Sequence, residues 1–256
     1  MIVVSNRNEL KELIKQRIEE QGLRCNLNDI DVSRVTNMSC LFKDSYFNGD
    51  ISQWDVSNVV DMNCMFFMSN FNGDISNWNV SSVEDMSYMF LSSSFRGDIS
   101  RWDVSNVRDM DSMFVYTRFN GDISKWDVSN VENMKCMFEG SAFNSDISQW
   151  DVSNVVNMSY MFAWSKFNGN ISKWSVSSVE NMKCMFEESA FNNDISKWDV
   201  SNVVNMSSMF SYSSFRGKIS KWDVSSVEDV SNMFEGLSFW YRRPSWYKAK
   251  KKLLQY

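Results

Sequence analysis

Residues 47–70 read FNGDISQWDVSNVVDMNCMFFMSN, and residues 71–94 read FNGDISNWNVSSVEDMSYMFLSSS, a near-copy in the same register. The register persists without slippage. Trp54, Trp78, Trp102, Trp126, Trp150, Trp174, Trp198 and Trp222 stand 24 residues apart, and one column of Phe runs from Phe47 to Phe239 while a second runs from Phe42 to Phe234. Those two columns hold every Phe except Phe67, and of 18 Met all but Met1 and Met68 fall in columns Met38–Met206 and Met65–Met233. A period in this range marks a stack of structural units, none of which closes a core alone.

Spacings within one unit predict its path. Asn48-Gly49-Asp50 is a turn signal in which Gly supplies a permissive backbone. Ile51, Trp54 and Val56 follow with the LxxLxL spacing of a leucine-rich-repeat strand, pointing inward. Ser57-Asn58 ends that strand, and Val59, Met62 and Phe66 then fall at helical spacing, which predicts a short helix or 3₁₀ turn on the convex side. The fold class expected is therefore an α/β solenoid: a right-handed stack of about nine coils with a parallel sheet and short convex helices.

The string FNGDISxWDVSNVxxMxxMF resembles the BspA-like leucine-rich repeat surface proteins, including the repeats of unknown function first noted in mycoplasma lipoproteins. The resemblance covers about residues 23 to 240. It implies a curved solenoid with a parallel sheet, and a role in cell-surface adhesion or binding of host proteins.

Three segments are expected: a capping helix within 1–22, the repeats over 23–239, and a basic cap or tail over 240–256. Ser5 to Glu20 carries Leu10, Leu13, Ile14 and Ile18 on one face, with Glu9 placed for a capping box and Gly22 at the end. Leu23, Leu27 and Ile30 occupy the Phe, Ile and Trp positions of a first, atypical coil. At the other end Trp246 keeps the register while Arg243 replaces the core Ile. Beyond Trp240 lie six cations and no acid, so a chain of net charge −6 carries +6 on its tail and −12 before it. Such a tail reads as an amphipathic cap over an acidic body; contact with nucleic acid or anionic lipid is the alternative.

Chemistry is sparsely supplied. The chain has no His and five Cys, an odd number that fits reduced thiols better than a disulfide framework. Cys40 and Cys64 share a column on adjacent coils, where a bridge is conceivable, but Tyr88 and Ser112 stand in the same column, which reads as tolerant. The carboxylates Asp50, Asp74, Asp98, Asp122, Asp146 and Asp194 repeat identically, whereas a catalytic pair needs two different environments. They read as turn chemistry, with calcium along an Asp-rich edge as the alternative. No enzyme activity, cofactor or metal site is expected. Nucleic-acid mimicry is disfavoured because Lys125, Lys173, Lys197 and Lys221 interleave with the acidic columns. No apolar run approaches a membrane span, and Met1–Val4 is too short for a signal-peptide core, so the chain reads as cytoplasmic, while the resemblance implies the cell surface.

One signal points to a surface. Met68, Tyr116, Trp164 and Tyr212 recur every second coil, with Phe67 beside the first, and Ser92, Gly140, Glu188 and Gly236 fill the alternate coils. Either the large groups pack over their small neighbours, or they form a stripe for a protein partner. The function expected is a non-enzymatic protein-binding scaffold, the alternative being a passive structural element; the oligomeric state is open.

Overall fold

The computed structural model describes residues 1–238 and 241–253, so the expectations placed on Phe239, Trp240 and residues 254–256 lie outside the described residues. Four regular elements bracket the repeats: β1 (Ile2–Val3), α1 (Arg7–Gln21), β2 (Ile30–Asp31) and α2 (Ser245–Leu253). β1 and β2 pair in parallel, Ile2 with Ile30 and Val3 with Asp31.

Between them the chain is a repeat protein with a stacked aromatic core. The Trp column is buried at 3 to 5% exposure, and the Phe, Met, Ile and Val columns join it in one apolar cluster that runs from Val4 to Tyr247. Successive coils stack ring on ring: Phe66 lies 5.6 Å from Phe90 with planes 4° apart, and Trp54 lies 6.4 Å from Trp78 at 6°. Phe66 also stacks at 4.5 Å on Phe71, which opens the next unit. Each such pair adds about 0.5–1.5 kcal/mol beyond the area it buries.

The local backbone departs from the expected strand and helix. Among the described residues the repeats after β2 contain neither; they are chains of turns joined by isolated parallel bridges, Asn37 to Asp61, Asp61 to Asp85 and onward to Asp229. Where a strand was expected, Trp54 N donates to the Ile51 carbonyl and Val59 N to the Val56 carbonyl, each closing a turn. Asp50 Oδ1 accepts from Ser52 N and Asp55 Oδ1 from Ser57 N, so short side chains take amides that a strand would give to its neighbour. Where a helix was expected, Met65 N, Phe67 N and Ser69 N bond three residues back, to Met62, Cys64 and Phe66. Left-handed φ at Cys64 (55°) and Met68 (50°) breaks any helical run.

The parallel ladder lies on this second flank. Val60 N bonds Thr36 O on the preceding coil, while Met62, Cys64, Phe66 and Met68 donate to Asp85, Ser87, Met89 and Leu91 on the following one. On the tryptophan flank the first two coils share a backbone bridge, Asn26 to Asp50, and the later coils are tied by side chains. Asn72 N donates to Asn48 Oδ1 (2.9 Å), Trp78 Nε1 to the Ile51 carbonyl (3.1 Å), and Asn106 Nδ2 to the Ser81 carbonyl (2.7 Å).

Glycine in FNGD has a different task from the one expected. Gly73 is not left-handed; a Cβ there would meet the ring of Phe71 at 2.8 Å, and where Ser145 and Asn193 fill the same column their side chains bond back to Asn120 and Asn168 of the preceding coil.

Both ends are covered. Asn6 caps α1 by accepting from Asn8 N and Glu9 N, and Glu9 reaches back to Ser5 N (2.8 Å), a reciprocal cap worth about 1 kcal/mol. Leu10 and Ile14 of α1 are buried, with Leu13 and Ile18 packed beside them on the first coil. At the far end Trp246 Nε1 bonds the Ile219 carbonyl (3.0 Å), as each repeat Trp bonds its own predecessor, and Tyr247 meets Phe234 edge-on at 4.9 Å. Lys250 Nζ donates to the carbonyls of Ser225 and Val227, both at 2.9 Å, which uses one tail cation to close the last coil.

Candidate partner-binding surface

The two-coil row lies on the laddered flank and faces solvent. Met68 is 54% exposed, Tyr116 58%, Trp164 41% and Tyr212 58%. Phe67 is half-buried, and Lys43 Nζ sits 4.9 Å above its ring. The exposure has a backbone origin. Met68, Tyr116, Trp164 and Tyr212 are left-handed, with φ of 50 to 53°, and each backbone N–H donates to the next coil: to Leu91, Glu139, Glu187 and Glu235. At these four positions the side chain is exposed while the amide stays paired; Ser112 and Cys184, left-handed in the same ladder, are buried.

The rings also rest on the protein. A Cβ built on Gly140 would stand 2.3 Å from Tyr116 Cδ1, and one on Gly236 would stand 2.2 Å from Tyr212 Cδ1. Each tyrosine therefore covers the glycine of the following coil with one face and offers the other to solvent. Trp164 stacks instead on Tyr160 at 6.4 Å, and Lys183 Nζ lies 5.8 Å from that ring.

The neighbouring columns supply residues that the row alone did not reveal. Glu139 and Glu187 are half-buried beside it, and Glu235 is exposed and accepts from the Tyr212 hydroxyl at 3.2 Å. The Glu235 carboxylate first, with its hydrogen bond, raises the Tyr212 hydroxyl above the ordinary phenol range, while for Tyr116 partial burial leads and Glu139 adds to it. Tyr160, in the cysteine column, belongs to the same surface. The same two-coil alternation runs through Glu139, Glu187 and Glu235, and that was the available signal.

The acidic columns hold turns. Asp74, Asp98 and Asp122 each accept the backbone N–H two residues on, at 2.9 Å, and those bonds hold their carboxyls below the usual range. Among the described residues no group of three or more His, Cys, Asp or Glu is placed to hold a metal ion. All five cysteines are free thiols; Cys40 and Cys64 are in contact, and burial first, then Cys40, pushes the Cys64 thiol up to about 11. Thiols so protonated are weak nucleophiles. Among the described residues, no helix is long and apolar enough to cross a membrane.

A family model described as "Mycoplasma protein of unknown function, DUF285" matches residues 9–118, 92–189 and 141–246. The three overlapping matches take in most of the chain, from within α1 to the start of α2, and the chain belongs to this repeat family of unknown function. No curated protein and no solved structure matches it.

Proposed function

We propose that the chain is a non-enzymatic scaffold that binds a protein partner through Phe67, Met68, Tyr116, Trp164 and Tyr212. The stacked coils act as a right-handed, leucine-rich-repeat-like solenoid of the BspA-like kind, and adhesion at a cell surface is the setting that the sequence resemblance suggests. The observation that carries the reading is the row itself: four large apolar groups, each 41% exposed or more, repeat every second coil on a backbone that is otherwise satisfied. Exposed aromatics on a rigid frame are the residues in which binding energy concentrates. Absence of His and the uniform environments of the turn aspartates support a non-enzymatic role.

The test compares the intact chain with the triple variant Tyr116→Ser, Trp164→Ser, Tyr212→Ser as immobilised bait. Loss of a captured protein at unchanged melting temperature supports the reading. A variant that melts much earlier places the row in the packed shell. The seating of Tyr116 on Gly140 and Tyr212 on Gly236 favours that second reading, in which the chain is a structural element and the rings clamp pairs of coils.

A further inference from the structure

The row is a set of pairs. Tyr116 N bonds Glu139 O, Trp164 N bonds Glu187 O and Tyr212 N bonds Glu235 O, so each ring is fixed beside a glutamate of the next coil at the same offset. Met68 breaks the pattern, since Leu91 stands where the glutamate would be. Three units of one exposed aromatic face and one carboxylate thus repeat every second coil.

A ring face attracts a cation through its quadrupole, and a carboxylate at its edge adds Coulomb attraction and a hydrogen-bond acceptor. The flank already shows this affinity internally, with Lys43 over Phe67 and Lys183 over Tyr160. On the outer margin Arg118 and Lys166 follow Tyr116 and Trp164 by two residues, while Ser214 holds that place in the third unit, so the glutamate side is where an added cation is favoured. Backbone-paired coils stand about 4.8 Å apart, which sets successive units roughly 9.6 Å apart. A polyproline II helix brings the same face round every three residues, about 9.3 Å.

We infer that the three aromatic–glutamate pairs form one surface for an extended cationic segment that presents Arg or Lys at every third residue. The inference rests on the partner-binding role of the row and names the chemistry of the partner. Polyproline II ligands suit an exposed aromatic row because little chain entropy is lost on binding.

The experiment measures fluorescence anisotropy of a labelled Arg-Pro-Pro repeat peptide with the full chain. Controls carry Gln for Arg, or Arg at every second residue. The Arg-Pro-Pro peptide should bind at least about ten-fold tighter than either control, and the triple variant Glu139→Gln, Glu187→Gln, Glu235→Gln should weaken it roughly ten-fold at unchanged melting temperature. Replacing Arg118 and Lys166 by Ser should tighten it. Equal binding of the neutral or respaced peptide, no effect of the Gln variant, or no binding at all overturns the inference. So does a second copy on the row, detected as concentration-dependent mass in sedimentation that the Gln variant abolishes. If no peptide binds but the triple Ser variant still loses a captured protein, the row's binding role stands and only the cationic partner is wrong.

Discussion

The two flanks of each coil are held to their neighbours by different chemistry, and the difference explains where the sequence varies. On the tryptophan flank the ties are Trp Nε1, Asn Nδ2 and Asn Oδ1, so replacing the residue deletes the bond. On the laddered flank the ties are backbone N–H to backbone carbonyl, which any residue but proline supplies. Accordingly the Trp column is invariant from Trp54 to Trp222, while one ladder column reads Cys40, Cys64, Tyr88, Ser112, Cys136, Tyr160, Cys184, Ser208. The candidate surface lies where the backbone does the tying, so its outward side chains differ without loss of an inter-coil bond.

Several substitutions break or sharpen this contrast. Trp126→Ala removes a side chain 3% exposed and leaves the Ile99 carbonyl without its 3.0 Å donor; it should cost about 3–5 kcal/mol by denaturant titration. Gly140→Ala on the laddered flank meets both a φ of 60° and the Tyr116 ring, and should cost about 1–2 kcal/mol from the backbone alone. Adding Tyr116→Ser should recover the steric part of the loss and leave the backbone part, which a double-mutant cycle resolves. Asn120→Ala deletes the acceptor of Asn144 N (2.7 Å), and a loss of about 1 kcal/mol with faster exchange of that amide is expected. Tyr116→Ser alone should fall within about 0.5 kcal/mol if the ring is a surface group.

The acid response tests the turns that precede the tryptophans. Asp74, Asp98, Asp122 and Asp146 have folded pKa values held below their unfolded ones by backbone N–H bonds to Ser76, Ser100, Ser124 and Ser148. Such groups stabilise the fold above the unfolded value, near pH 4, and that contribution is lost as pH falls through the folded value. Asp109, raised by burial, acts in the opposite sense. With no His in the chain, unfolding midpoints should be flat between about pH 5 and 8 and should drop below about pH 4. A step near pH 6 would contradict the assignment.

The core was legible because large side chains at a constant period must be buried together: Trp126 and Phe114 were placed by arithmetic. The path between them was not. Cys64 and Met68 are left-handed without being Gly, Asn or Asp, and their inter-coil bonds join residues 23 apart. Spacings of Val59, Met62 and Phe66 match a helix and a run of turns equally well. Gly73 misled in the same way: it is not left-handed, and Ser145 and Asn193 fill its column in later coils. The row from Met68 to Tyr212 was found by its period, whereas Glu139, Glu187 and Glu235 need the offset between coils before they join it.

The seating of Tyr116 on Gly140 bears on how a gene for such a chain changes length. Excision of residues 117–140 would set Trp164 in the place that Gly140 now holds, against the Tyr116 ring. Excision of residues 117–164 would bring Glu188 there, the residue that already follows Trp164 one coil on. Loss of one coil thus brings two large rings to the same place on the surface, whereas loss of two coils keeps the alternation of large and small groups.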